Sequence, residues 1–191
     1  MKPPVVLFLG LFVAVNARAE VFHSRESALR LAFPGADRVE KREIFLDADD
    51  AAEVERLARS PLGSRLVTGY VGWKGAAVTG YAFIETHPVR SLPETIMIVV
   101  APDGRVAGVH VLAFHEPPEY GPPPAWLRQF EGRALNDEMS LRGDIAGITG
   151  ATLTAHSITA AVRRTLAVHQ VGIATPASRS DSSGAAAGSH R

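Results

Sequence analysis

Residues that could do chemistry are concentrated in the run Asp144-Ile-Ala-Gly-Ile-Thr-Gly-Ala-Thr-Leu-Thr154. It contains two glycines and three threonine hydroxyls, and residues 158–169 carry apolar side chains at the three-and-four spacing of a helix face. Thr154 is the predicted N-cap of that helix. A helix start presents unpaired N–H groups and the positive end of the dipole, so a glycine-flanked turn there can hold a phosphate. An ordinary capped surface helix fits the same pattern, and both interpretations stay open.

The two ends of the chain indicate an exported, single-domain protein. The chain has 191 residues, no cysteine and 46% hydrophobic residues, enough for one core and short for two. Residues 1–19 have the pattern of a signal peptide, with Lys2, an apolar stretch and Ala17-Arg18-Ala19 as the cleavage pattern. An uncleaved anchor is the alternative, although the apolar stretch is shorter than the about 20 residues of a membrane span. We expect a periplasmic or otherwise extracytoplasmic location.

Charge and cysteine content narrow the functional classes. Without Lys2 and Arg18 the remaining chain has 18 basic and 20 acidic residues, a balance that does not favour nucleic acid as a partner. A chain without cysteine has no disulfides or cysteine-ligated clusters, so a redox role requires a cofactor. Residues 174–191 contain almost no large apolar side chains, which predicts a disordered tail.

The hydrophobic periodicity predicts an α+β fold, with a largely antiparallel sheet of hairpins and flanking helices on one side. Residues 20–65 form an N-terminal helical and extended part, and residues 66–173 form the core of the domain. One helix is expected from Ser24 to Phe33, and another from Asp49 or Asp50 with Ala52 among its buried residues. Strands are expected at 38–46, 66–73, 76–85, 95–101 and 106–114, with turns at 74–75 and 102–105.

The motif Thr149-Gly150-Ala151-Thr152-Leu153-Thr154 resembles the (Ser/Thr)-Gly-Ala-Thr-x-Thr signature of the FMN-binding domain family, found in NqrC and RnfG subunits of membrane electron-transport complexes. The resemblance implies that a separate flavin transferase attaches FMN to Thr152 through a phosphoester. It also implies that Thr149, Gly150, Ala151, Leu153 and Thr154 surround the attachment point. Many family members have an aspartate six residues before the modified threonine, whereas this chain has Ala146, and its nearest acidic residue is Asp144.

A second motif of the family is similar to residues 115–121, His-Glu-Pro-Pro-Glu-Tyr-Gly. Glu116, Pro118 and Gly121 match the family pattern, and Pro117 and Glu119 depart from it. Trp126 to Gly132 is similar to the short family helix that ends in Gln-Phe-x-Gly. The resemblance implies that the stretch 115–121 contacts the cofactor, and the residues that we assign to this role are His115, Glu116, Pro118, Tyr120 and Gly121. A stiff proline-rich surface loop and a core aromatic at Tyr120 or Trp126 are the alternatives.

No catalytic residue and no metal site is assigned. His110 and His115 are an odd number of residues apart, so in a regular strand they point to opposite faces, and the acidic residues Asp47, Asp49 and Asp50 fit a helix start. We expect an FMN-carrying electron-transfer protein that acts between a membrane-bound reductase and an extracytoplasmic acceptor. A flavin-free secreted binding module with the same fold and a flavin enzyme with its own small-molecule substrate are the alternatives.

Overall fold

The computed structural model describes residues 20–21 and 24–174, and within them the chain forms one antiparallel sheet with flanking helices. The sheet order is β1-β6-β5-β4-β3-β2. The predicted signal peptide and all but the first residue of the predicted tail lie outside the described residues. The strands are β1 (Glu20–Val21), β2 (Arg38–Phe45), β3 (Leu66–Lys74), β4 (Ala77–Pro88), β5 (Pro93–Val100) and β6 (Val106–Phe114), and the helices are α1 (Arg25–Ala32), α2 (Ala48–Ala58), α3 (Pro124–Leu127) and α4 (Thr152–Gly172).

This architecture confirms the predicted α+β class, including the hairpins β3–β4 and β5–β6. The β5–β6 turn closes through hydrogen bonds between the Ala101 N–H and the Arg105 carbonyl at 2.8 Å, and between the Gly104 N–H and the Ala101 carbonyl at 2.9 Å. Each hairpin pairs residues close in sequence, so the pattern of apolar residues and the turn residues were together sufficient to locate the strands.

The prediction that helices cover one side of the sheet is wrong, because α1 packs on the opposite face from α2 and α4. Ile96 and Ile98 of β5 join the core beneath α2 and α4, whereas Met97 and Val99 join Ala28 and Phe33 at the other face. All five residues from Ile96 to Val100 are at most 5% exposed. An unbroken apolar run of this kind indicates a strand that is buried on both faces.

Helix α2 begins earlier than predicted. Asp47 is its N-cap, and Asp47 Oδ1 accepts a hydrogen bond from the Asp50 N–H at 2.8 Å. Val54 and Ala58 are buried as expected, but Ala52 is exposed, so its predicted burial is wrong. The carboxylate of Asp47 therefore caps a helix.

A buried arginine joins α4 to α2. Arg163 is 5% exposed; its guanidinium donates to the Ala58 carbonyl at 3.1 Å and to the Leu57 carbonyl at 2.6 Å, both in the last turn of α2. It also donates to the Asn136 carbonyl at 2.6 Å and the Met139 carbonyl at 3.1 Å. A cation at this position also interacts favourably with the negative end of the α2 dipole.

None of the described helices is long and apolar enough to span a membrane.

Candidate functional site

A cavity of about 160 Å³ lies where the start of α4 meets the loops that follow β4 and β6. We call it the first cavity. It joins the two motifs singled out in the sequence, residues 115–121 and 149–154, which are distant from each other along the chain. Its walls are Val89, Arg90, Glu116, Tyr120, Gly150, Ala151, Thr152, Leu153 and Thr154.

The start of α4 is not capped by a side chain. The helix begins at Thr152, its N-cap residue is Ala151, and no side chain accepts a hydrogen bond from its first turn. The predicted N-cap, Thr154, is therefore wrong. Gly150, just before the cap, has φ +81°, a backbone conformation that favours glycine. The first-turn N–H groups of a 21-residue helix are thus left for a ligand at this end.

The three threonines of the motif have different surroundings. Thr154 is 1% exposed, and its hydroxyl donates to the Tyr120 carbonyl at 2.7 Å. Thr152 is exposed and lines the first cavity. Thr149 is exposed but is not part of the cavity wall. Of the three threonines of the motif, Thr152 alone both lines the cavity and is exposed.

Glu116 organises the loop on the opposite wall. Its Oε1 accepts hydrogen bonds from the backbone N–H groups of Arg90 at 3.1 Å, Ser91 at 2.7 Å and Leu92 at 2.9 Å. The hydrogen bonds from Leu92, Ser91 and Arg90 hold the pKa of this carboxyl below its ordinary value. Glu116 is thus an ionised structural group that fixes the turn after β4.

Arg90 and Val89 are wall residues that the sequence did not reveal. The Arg90 guanidinium carbon lies 5.1 Å from the centre of the Tyr120 ring, so Arg90 contributes a positively charged residue to the cavity that Thr152 also lines. Both residues belong to the turn held by Glu116, and no motif surrounds them in the sequence. Only the pairing of β4 with β5, and of β5 with β6, places that turn beside α4.

Trp126 and Gln129 hold the segment that leads into the threonine motif. The Trp126 indole Nε1 donates to the Ala146 carbonyl at 2.6 Å, and the Ala146 N–H donates to Gln129 Oε1 at 2.8 Å. Trp126 is buried against Phe130, with ring centres 5.3 Å apart, and is not a wall residue. Asp144, the acidic residue nearest to position 146 in the sequence, forms an ion pair with Arg133, with Arg133 Nη1 2.9 Å from Asp144 Oδ2. Both backbone groups of Ala146 are therefore held by side chains.

Four predicted site residues are not in the wall of the first cavity: Thr149, His115, Pro118 and Gly121. His115 Nδ1 lies 3.0 Å from the Pro93 carbonyl, and the Gly121 N–H donates to the Pro118 carbonyl at 3.0 Å, so both residues shape the loop. Contact between these four residues and a cofactor stays a prediction.

Comparison with known proteins finds sequence similarity to an FMN-binding domain and to subunits of oxidoreductase complexes. Residues 91–167 match the family model of the FMN-binding domain. The chain is 24% identical over 190 residues to the G subunit of the Na(+)-translocating ferredoxin:NAD(+) oxidoreductase complex of Acetobacterium woodii, covering 88% of this chain and 91% of that protein. It is 28% identical over 179 residues to the G subunit of an ion-translocating oxidoreductase complex of Cereibacter sphaeroides, covering 84% and 80%. The protein of the same name from a second strain of that organism is 30% identical over 133 residues, covering 63% and 59%.

Proposed function

We propose that this chain, which belongs to the FMN-binding domain family, carries FMN on Thr152 through a phosphoester bond and transfers electrons between a membrane-bound reductase and an extracytoplasmic acceptor. The observation that carries the proposal is the position of Thr152. Its exposed side chain lines the first cavity at the start of α4, while the Thr154 hydroxyl is buried and bound to the Tyr120 carbonyl.

The surroundings of Thr152 suit a phosphate. The start of α4 has no side-chain cap, so its N–H groups and the positive end of its dipole can act on an anion. Arg90, in the opposite wall, adds a guanidinium, the side chain best shaped to bind phosphate oxygens. Together they would hold the phosphate that links the flavin to Thr152.

A separate transferase accounts best for the formation of the bond. A threonine hydroxyl is a weak nucleophile that needs a base, and the carboxylate in the cavity wall, Glu116, has a lowered pKa and spends its Oε1 on three backbone N–H groups. Glu116 is therefore a poor base. A flavin transferase would supply both the base and an activated flavin nucleotide, whose leaving group departs as Thr152 loses its proton.

The size of the cavity indicates how much of the cofactor the protein covers. About 160 Å³ is below the roughly 300–1,000 Å³ of pockets that enclose a small organic ligand. The cavity would take the phosphate and the adjoining part of the flavin, and leave part of the cofactor accessible to redox partners. The bound flavin would supply the electron-transfer chemistry, while Arg90, Glu116 and Tyr120 hold and orient it.

The relatives suggest the setting. Each is named as the G subunit of an oxidoreductase complex, and one of these complexes is Na(+)-translocating. We place this chain in an equivalent position, as the FMN-carrying subunit of a membrane oxidoreductase complex. The signal-like residues 1–19 suggest that it acts on the extracytoplasmic side, and that it contacts the membrane through its partners or through an uncleaved N-terminus.

The test is the intact mass of the protein after co-expression with a flavin transferase. We expect the native chain to be yellow and heavier by one FMN moiety, and Thr152→Ala to be colourless and unshifted. Thr149→Ala is the matched control, because Thr149 is also an exposed threonine of the motif but is not a wall residue. It should be modified like the native chain.

Two outcomes would contradict the proposal. A native chain that stays unmodified and colourless would indicate the flavin-free binding module instead. A mass shift that survives Thr152→Ala would mean that FMN is attached elsewhere.

A further inference from the structure

Two titratable residues that the proposed function does not use face each other on β4 and β5: Glu94, which is buried, and His87, which is part-buried with both ring nitrogens buried. They are register partners, and His87 Nε2 lies 3.9 Å from Glu94 Oε1. Glu94 is 0% exposed, and its carboxyl oxygens make no hydrogen bond with any described residue. Burying a carboxyl group without a hydrogen bond is costly, so stability does not explain why Glu94 is there.

The pair lies between two cavities along one strand. Two residues after His87, Val89 lines the first cavity. Two residues before it, Glu85 lines a second cavity of about 340 Å³, whose wall also includes Arg164. At about 3.3 Å per residue in extended chain, His87 is roughly 7 Å along the chain from each wall.

The charged groups in contact with the pair come from β4 and α4. His87 Nδ1 lies 3.4 Å from Glu85 Oε1, and Glu85 is itself paired with Arg164 of α4. On β6, the register partner of Glu94 is the apolar Phe114. Glu85 and Arg164 neutralise each other, so the charge of the pair depends on its own proton. Burial raises the pKa of Glu94 to about 7 against the opposing effect of His87, within the range in which imidazoles also exchange protons.

We propose that His87 and Glu94 form a buried proton-binding pair, which takes up a proton when negative charge enters the first cavity and exchanges it with solvent through the second cavity. The part of this proposal that concerns electrons rests on the proposed function. One electron from the reductase adds one negative charge beside α4, and the pair becomes more fully protonated, with the protons coming from solvent. No bond forms between the pair and the cofactor.

The size of the coupling can be set by Coulomb's law. For an assumed separation of about 10 Å and an effective dielectric constant of about 20, a unit charge changes the proton affinity of the pair about tenfold. Exposure of the first cavity to solvent would reduce this effect to several-fold. A change of this size can be measured directly.

The test follows the His87 ring by NMR through a pH titration of the full chain without flavin. Thr152→Asp places a negative charge in the wall of the first cavity, and Thr152→Asn is its neutral match. We expect a several-fold higher proton affinity at His87 in Thr152→Asp than in Thr152→Asn. We expect Glu94→Gln to lower the proton affinity of His87 several-fold. Glu131→Gln, which removes an exposed carboxylate, should leave the titration unchanged.

Equal His87 midpoints in Thr152→Asp and Thr152→Asn would overturn the coupling, and this comparison leaves the pair itself intact. An unchanged titration in Glu94→Gln would overturn the pair. The titrations use protein without flavin, so their result does not depend on flavin attachment. If the transferase leaves the chain unmodified, that result contradicts the proposed function but not the His87–Glu94 pair.

In the flavin-carrying protein, the flavin potential between pH 5 and 9 should fall further in the native chain than in Glu94→Gln, by up to about 59 mV, the one-electron equivalent of a tenfold change in proton affinity. If the flavin potential depends on pH equally in the native chain and in Glu94→Gln, the pair has no role in electron transfer.

Discussion

Gly150 allows a sharp test of how the backbone prepares the start of α4. Its φ is +81°, and a Cβ added there would meet no atom within 4 Å, so replacing it with alanine changes the backbone preference without a clash. Gly147, three residues earlier, also has open space around an added Cβ but has no positive φ. The two alanine variants therefore differ in backbone conformation and share open space around the added Cβ.

The expected magnitudes follow from this difference. Alanine in the left-handed region costs about 1–2 kcal/mol relative to glycine. Alanine also restricts the unfolded chain, which stabilises a protein by about 0.4–1 kcal/mol at a compatible position. We expect Gly150→Ala to lower the free energy of unfolding by up to about 1.5 kcal/mol, and Gly147→Ala to raise it slightly.

Urea denaturation followed by circular dichroism would measure both variants, with equal slopes confirming that the midpoints are comparable. The chain can relieve the strain in Gly150→Ala by moving residues 149–151, so we also expect a lower yield of FMN on Thr152. Equal unfolding free energies for the two variants, or a stabilised Gly150→Ala, would refute the argument from the positive φ.

Two further predictions concern buried charged residues. Arg163→Met leaves four carbonyl groups without their donor and should destabilise the protein by about 3–5 kcal/mol in urea denaturation. Arg56→Met, which removes an exposed pair with Glu53, should cost at most about 0.5 kcal/mol, and similar losses would contradict the role of Arg163. Glu94 keeps its proton up to about pH 7 when folded but releases it at its ordinary pKa of 4.5 when unfolded, so stability should fall by about 3 kcal/mol as the pH rises through this interval. Glu94→Gln should remove this fall, and a native chain whose unfolding free energy is flat from pH 4.5 to 7 would contradict it.

The sequence predicted those parts of the fold that depend on neighbouring residues. The hairpins follow from alternation and turn residues, and α1 begins where Ser24 was expected to cap it. The placement of α1 on the second face depends on which strands become central, which local periodicity does not encode. The continuous apolar run of β5 was nevertheless a usable signal for it.

At the site, motifs located the residues and the fold decided which of them meet. Glu116, Tyr120 and Thr152 were identified because each belongs to a motif, and all three line the first cavity. Arg90 was missed because a single arginine in a turn has no sequence signature. The N-cap at Thr154 was wrong because the positive φ of Gly150 allows α4 to begin three residues earlier, with Ala151 as the cap.

Because Trp126 and Gln129 hydrogen-bond the backbone of Ala146, the conformation of this loop does not depend on which side chain stands at position 146. Since the backbone of residue 146 is held at both its N–H and its carbonyl, and its side chain is exposed, an aspartate or an alanine can stand there without changing the path into Thr152. The side chain at position 146 is thus exposed on the protein surface. If an aspartate at this position matters in relatives, it acts by contacting a partner protein such as the flavin transferase. Ala146→Asp in this chain would then change binding of that partner while leaving the fold unchanged.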